Sequence, residues 1–460
     1  MMDLALHNPS TGQTEKTFPR FDDGERDALL DRATAAFRKW RTTAIEERAA
    51  VLCRTAALYR ENQTRLAEYI GREMGKLRRQ GEREIALVAD IYDWYAEHAR
   101  QLLADRELPA QGAVRTFVRR EPLGPVLGIM PWNFPYYQVA RWAAPNLLLG
   151  NTLILKHASI CPLSSQACEE ILTEAGLPAD VFRNIHAASS QMEAVIADPR
   201  IVGVSLTGSE QAGAAVAKTA GENYKKSLLE LGGNDPFLVL DDHNLEKVLS
   251  CYVSARMANA GQACNAPKRL IVLDEFYDRA LEFLTERISA LPVGAWDDGD
   301  AKVGPLSSVA ARDEVVARLA AAEQACEARI AVGGRKIDRP GAFMEPTLLV
   351  DVDPTADIGC NEIFGPVAIL HRVRDVEEAV ELANDSDYGL GSYIFGSDLE
   401  LAQRVASRME AGMTYINETG VSRPGLPFGG IGRSGYGREL GEWGVQEFAN
   451  EHIFRVRAPL

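Results

Sequence analysis

The chain has little cysteine: seven residues in 460, an odd number, with no CxxC pair. That excludes a disulfide framework and the paired-thiol spacing of a zinc site. No apolar run approaches the roughly 20 residues of a membrane span. The opening MMDLALHNPSTGQ lacks the basic and apolar regions of a secretory signal. A reducing, cytoplasmic setting with no membrane partner is the expectation. Positive charge is also short, with 50 Lys and Arg against 65 Asp and Glu, a net −15, and no basic cluster. A nucleic-acid groove or an anionic membrane surface is therefore excluded as the main partner. Short repeats and low-complexity segments are absent too. What remains is a globular composition, 46% hydrophobic and 25% charged, on a chain long enough for two or three domains.

Helical spacing dominates from Gly24 to Arg106. Leu29, Leu30, Ala33, Phe37 and Trp40 recur at three-to-four intervals, and a second amphipathic run covers 46–74. RTFVRREPLG alternates like an exposed strand or hairpin. Strand-like runs PVLGIM, NTLILK, VFRNIHA and IVGVSLTG then alternate with helical stretches at 164–175 and 211–220. A second series follows: PFLVL, a helix over 245–259, RLIVL, a helix over 275–290, VAILHRV, GSYIFG and MTYIN. Two such series predict two doubly wound α/β domains, with the turn-rich LELGGNDP as the boundary.

Four segments carry candidate chemistry. Cys264 stands in NAGQACNAPKR, a Gly-containing loop ahead of a strand-like run. Glu230 is an acid inside the apolar LLELGGN, where desolvation would raise its pKa towards that of a useful base. Asn133 lies between Pro131 and Pro135 in MPWNFP, so a rigid amide could donate to an oxyanion. In GVSLTGSEQAGAA, Thr207 and Glu210 have capping-box spacing, and Gly208 and Ser209 open a helix suited to phosphate. GIGRSG matches GxGxxG by letter but lacks the strand before it and the βαβ unit around it. It reads as a glycine-rich turn packed against another site.

Taken together, PWNFP, LKHAS, SLTGS, LELGGNDP, GQACNAPKR, EIFGPV and LPFGGIGRSGYGRE occur in an order that resembles the aldehyde dehydrogenase superfamily nearly end to end. Glu230 lies 34 residues before Cys264, the family's spacing of base and nucleophile. The resemblance implies a Rossmann-like cofactor domain over 1–106 and 122–230 and a catalytic domain over 231–417. An oligomerisation arm and tail would cover 107–121 and 445–460, and 418–444 would return to the cofactor domain. It also implies a homodimer or homotetramer. Cys264 would attack an aldehyde, Asn133 and the Cys264 backbone N–H would hold the oxyanion, and Glu230 would activate the water that hydrolyses the thioester. Gly208 and Ser209 map to a pyrophosphate turn, and Glu362 and Phe364 to positions that hold the nicotinamide ribose and ring. Ile129 and Trp132 border the same cleft.

By the same resemblance, Lys156 meets the adenosine ribose. Three residues on, Ser159 stands where NAD-preferring relatives carry Glu, and His157 replaces a usual proline. A hydroxyl beside an ammonium suits a 2′-phosphate, so NADP is expected and NAD remains open. Within the family the chain looks most like the short succinate-semialdehyde dehydrogenases. Arg141, eight residues after Asn133, would hold a distal carboxylate, with Ser422 as a second contact and Arg423 as a neighbour. The mammalian type has a further Arg six residues before its Cys; here that position is Ala258 and the nearest is Arg256. No cysteine adjoins Cys264, which argues against a local disulfide switch. Other small aldehydes, a CoA-acylating reaction and a non-catalytic scaffold stay open as alternatives. Glu230 speaks against acylation, and the joint presence of Cys264, Glu230 and Asn133 against a scaffold.

Overall fold

A computed structural model describes residues 4–420 and 422–459. Its first large sheet has six strands in the spatial order Gly435–Tyr436, Lys226–Glu230, Gly203–Thr207, Pro125–Met130, Thr152–His157 and Phe182–Asn184. The last five run parallel and the short Gly435–Tyr436 strand is antiparallel. Every side chain of Thr152–His157 is buried, as expected where helices cover both faces of a parallel sheet. The chain lays Pro125–Met130 first, builds outward to one side, then returns to the other. The switch point therefore falls between Pro125–Met130 and Gly203–Thr207. Ligands of such sheets bind in the crevice beyond the carboxyl ends of the strands at that point.

The second sheet has seven strands: Arg329–Val332, Thr347–Val350, Val367–Val373, Arg269–Leu273, Pro236–Val239, Gly391–Phe395 and Met413–Ile416. Only the edge strand Arg329–Val332 is antiparallel. The chain crosses from the first sheet to the second through residues 231–235 and returns after Ile416 to place the Gly435–Tyr436 strand in the first. It leaves the first sheet at a carboxyl end and enters the second at an amino end. A third, antiparallel sheet joins Ala449–Val456, Arg115–Pro122 and Arg106–Leu108. The ten strand-like runs of the sequence reading all reappear as strands, nine of them in these two sheets, so the fold is α/β with two parallel sheets.

Local departures have physical causes. The 46–74 run is two helices, Ile45–Glu61 and Gln63–Met74, broken at Asn62, whose side-chain amide bonds back to Leu58 O at 2.9 Å. The helix expected to reach Asn259 stops at Met257, because Asn259, Ala260 and Gly261 all take left-handed backbone. The cap of Glu210–Glu222 is Ser209 rather than Thr207, with Ser209 Oγ accepting from Ala212 N at 3.3 Å. Glu210 is thereby released to pair with Arg433 and the Tyr388 hydroxyl. The strand Lys226–Glu230 is absent from the sequence reading, since its first residues, Lys226 and Ser227, carry no apolar pattern.

The early helices brace the site from behind. Lys76 and Glu84, both fully buried, pair at 2.5 Å. Glu84 Oε1 accepts from Tyr136 N and Tyr137 N at 3.0 and 3.1 Å. A carboxylate thus meets the free N–H groups at the start of Tyr137–Leu149.

Candidate active site

Three loops converge where the carboxyl ends of the first sheet meet the amino ends of the second. They follow Met130, follow Thr207 and precede Arg269. Together with the Glu362–Phe364 segment they enclose a cleft of about 280 Å³. Trp132, Asn133, Gly208, Ser209, Cys264, Glu362 and Phe364 line it. Ile129, Lys156 and Ser159 do not reach this cleft. Ile129 pairs in register with Lys156 on one side and Leu206 on the other, inside the strands just before the cleft-forming loops begin.

The nucleophile loop is held by buried amides. Asn133 Nδ2 donates to Gln262 O at 3.2 Å, leaving its second N–H uncommitted. Asn259 Nδ2 donates to both Asn133 O and Gln262 O, at 3.0 and 3.1 Å. Arg256 is fully buried and donates to four carbonyls, those of Gly261, Ile363, Gly365 and Val367. It stitches the nucleophile loop to the Glu362–Phe364 segment and is committed there, so it does not replace the Arg missing at Ala258. Trp132 and Phe364 meet edge to face at 5.6 Å across the cleft.

Burial pushes the Cys264 thiol up to about 12, while Arg141 and Lys268 pull it down. Glu230 is 1% exposed, and neither carboxylate oxygen has a hydrogen-bond partner among the described residues. Burial drives it well above the usual carboxylate range, with Arg141 opposing and Glu439 reinforcing the shift. The GIGRSG turn backs this acid: Gly435 pairs with Glu230, and Ser434 O accepts from Leu231 N at 3.0 Å. A Cβ on Gly429 would lie 2.6 Å from Glu230 Oε1. The motif is therefore a packed turn, not a phosphate cradle.

The full-chain comparisons bear on this geometry. The family model described as "Aldehyde dehydrogenase family" matches residues 2–453. The chain belongs to the aldehyde dehydrogenase family. It is 46% identical to a succinate-semialdehyde dehydrogenase [NADP(+)] of Deinococcus radiodurans, covering 98% of this chain and 94% of that protein. A protein of the same name from Mycobacterium avium is 41% identical, over 98% and 96%. A crystal structure of succinic semialdehyde dehydrogenase from Streptococcus pyogenes with NADP+ superposes with a TM-score of 0.96 at 41% identity. It covers 99% of this chain and all of that one.

In this family member the residues present suit a dinucleotide. A Cβ on Gly208 would meet only Leu206 Cδ2, at 3.8 Å, and Thr207 Oγ1 is buried without a partner among the described residues. The Lys156 ammonium is buried, with one long contact, 3.4 Å to Ser189 Oγ. Burial lowers its pKa and the nearby Arg20 lowers it further, an arrangement that a bound phosphate relieves. Ser159 lies three residues on, half-buried. His157 ties this strand end to the Asn133 loop, with Nε2 meeting Pro135 O at 2.9 Å and Nδ1 accepting from Ala158 N at 2.8 Å.

On the opposite side, Arg141 is fully buried on Tyr137–Leu149. Its Nε lies 2.7 Å from Glu439 Oε2, and it packs over the rings of Phe428 and Tyr137. Its two terminal nitrogens have no hydrogen-bond partner of good geometry among the described residues. Tyr137, one turn earlier, donates to Ser422 Oγ at 2.7 Å. Arg423 is not drawn into this group; it is exposed and pairs with Glu418 at 2.8 Å. The sequence reading missed Gln138, which lines the cleft, and Glu439, the buried partner of Arg141. Gln138 could have been found by its three-residue spacing from Arg141 on the same helix. Nothing local marks Glu439, because its partner is nearly 300 residues away.

Proposed function

We propose that the protein oxidises succinic semialdehyde to succinate and prefers NADP. The observation that carries the substrate is Arg141: a buried guanidinium, close enough to bear on the Cys264 thiol, with two terminal nitrogens still to be satisfied. A substrate carboxylate would supply the acceptors, and the Ser422 and Tyr137 hydroxyls stand ready beside it.

Lys156, Ser159, Gly208, Ser209, Glu362 and Phe364 would hold NADP, which would take up the hydride as the two-electron oxidant. The Cys264 thiolate adds to the aldehyde carbon, and the new oxyanion meets the uncommitted Asn133 N–H and the Cys264 backbone N–H. After oxidation a thioester remains on Cys264. Glu230 takes a proton from the water that adds to it, and collapse expels the thiolate and releases the acid. Glu230 serves this step because desolvation makes it a stronger base than an exposed carboxylate. The same group favours water over CoA as the acceptor.

Residues 1–106 and 122–230 then form the cofactor unit and 231–417 the catalytic unit. The three-stranded sheet, with exposed Ile453 and Val456, is the element we assign to self-assembly of a cytoplasmic homo-oligomer. The deciding measurement is kcat/KM for succinic semialdehyde and butyraldehyde, with wild type and Arg141→Gln. A charged hydrogen-bonded contact is worth about 1.5–3 kcal/mol. The variant should lose roughly ten- to a hundredfold on the semialdehyde and little on butyraldehyde. Equal wild-type efficiency on both substrates would remove the Arg141 argument.

A further inference from the structure

Lys268 takes no part in the chemistry above, yet it is 1% exposed and lies behind the cleft, between two of its lining residues, Cys264 and Glu362. Its ammonium donates to Ala263 O at 3.1 Å and to Cys264 O, and pairs with Glu362 Oε1 at 2.8 Å. One cation therefore bridges the backbone of the nucleophile and the carboxylate assigned to the cofactor ribose. The surroundings make this bridge stiff. Tyr252 donates to Lys268 O at 3.3 Å, Tyr393 donates to Asn265 O at 2.6 Å, and Lys268 N donates to Asp235 O at 2.9 Å. A loop held at Ala263, Cys264, Asn265 and Lys268 keeps its place when the Cys264 thiol is deprotonated.

We propose that Lys268 is a positioning residue that couples the state of Glu362 to the reactivity of Cys264. While Glu362 is turned to Lys268, the two charges largely cancel at the thiol. When Glu362 shares its lone pairs with a bound ribose, more of the ammonium's field falls on Cys264 and favours the thiolate. The groups facing the thiol are Arg141 and Lys268 on the favourable side and Glu362 and Glu230 on the unfavourable side. Asp235 also faces Lys268, and the Tyr393 phenol also faces the thiol. Arg141 stands on a different element and pairs with Glu439, so its contribution stays constant as Glu362 turns. This inference rests on Cys264 as nucleophile and Glu362 as ribose ligand, and is independent of which aldehyde is oxidised.

The test is the pH dependence of iodoacetamide alkylation at Cys264, followed by mass spectrometry of its peptide, alone and with saturating NADP or NAD. Wild type should react faster with nucleotide bound. Lys268→Met should slow alkylation about tenfold at neutral pH, one unit of thiol pKa, and should abolish the nucleotide acceleration. Glu362→Gln, which keeps the cation and removes its counter-charge, should move the midpoint the opposite way, and Lys268→Arg should restore part of the wild-type behaviour. A merely structural role predicts losses of the same sign in both variants. An unchanged midpoint and retained nucleotide effect in Lys268→Met, or slower alkylation in Glu362→Gln, would overturn the proposal. Because no aldehyde is present, an error in the substrate assignment leaves every arm of the experiment intact.

Discussion

Glu230 holds two buried oxygens without hydrogen bonds, a state that stabilises nothing in the folded chain. Its folded pKa lies above the unfolded value, so the folded state binds the proton more tightly. The resulting stability is complete below about pH 4.5 and is lost as pH rises through the raised pKa. Glu230→Gln removes that loss. We expect its Tm to exceed the wild-type value more at pH 8–9 than at pH 5, while turnover stops after a single burst of reduced cofactor. Full steady-state turnover in the variant would reject the assigned base. Ser159 offers a second single-residue test. A carboxylate there would repel a 2′-phosphate beside Lys156, so Ser159→Glu should weaken NADP binding at least tenfold more than NAD binding by titration calorimetry. An equal loss for both nucleotides would remove Ser159 from the 2′-phosphate contact.

Between residues and fold lies the Gly435–Tyr436 strand, whose pairing closes one edge of the first sheet at the level of Glu230. Gly435 has φ +106°, and a Cβ there would lie 2.1 Å from Leu229 O. Gly435→Ala must push the two strands apart where Glu230 emerges. The expected result is a fall in kcat of tenfold or more with Cys264 alkylation unchanged, because the nucleophile loop hangs on other contacts. Loss of both together would mean that the turn supports the whole site. The seven motifs were legible because each is a local solution to a local problem, such as a rigid amide between prolines or a helix start beside glycine. The Lys226–Glu230 strand was not. It is short, half-exposed at its start, and exists because Gly203–Thr207 and Gly435–Tyr436 lie on either side. The 245–259 helix overran for the same reason. Its left-handed end at Asn259 and Ala260 is imposed by tertiary hydrogen bonds, against ordinary backbone preference.

At the scale of the molecule, two of the three buried histidines are strongly shifted by burial and weaken the fold in acid. Burial lowers His157 to about 4 and His371 to about 3. Both are neutral when folded and protonate more readily when unfolded. Their contribution is present above about pH 6.5 and is lost as pH falls towards those values, at roughly 1.4 kcal/mol per pKa unit. Tm should decline from pH 6.5 downward, and His371→Leu should flatten that decline; an unaltered acid limb would show that other groups control it. The arrangement of the sheets explains why so many chemical groups meet in one cleft. A chain that leaves one parallel sheet at its carboxyl end and enters another at its amino end brings switch-point loops and nucleophile loop face to face. Composition, alternation of elements and ordered motifs determined the α/β class, the family resemblance and the candidates for nucleophile, amide and base, because these depend on local spacing. Only the tertiary structure decided that Arg256 is spent on carbonyls, that Arg423 lies outside, that Arg141 is paired with Glu439, and that Lys268 joins Cys264 to Glu362. Those facts depend on which distant segments share a buried, low-dielectric space, and pairwise electrostatics there is set by distance through space, not by separation along the chain.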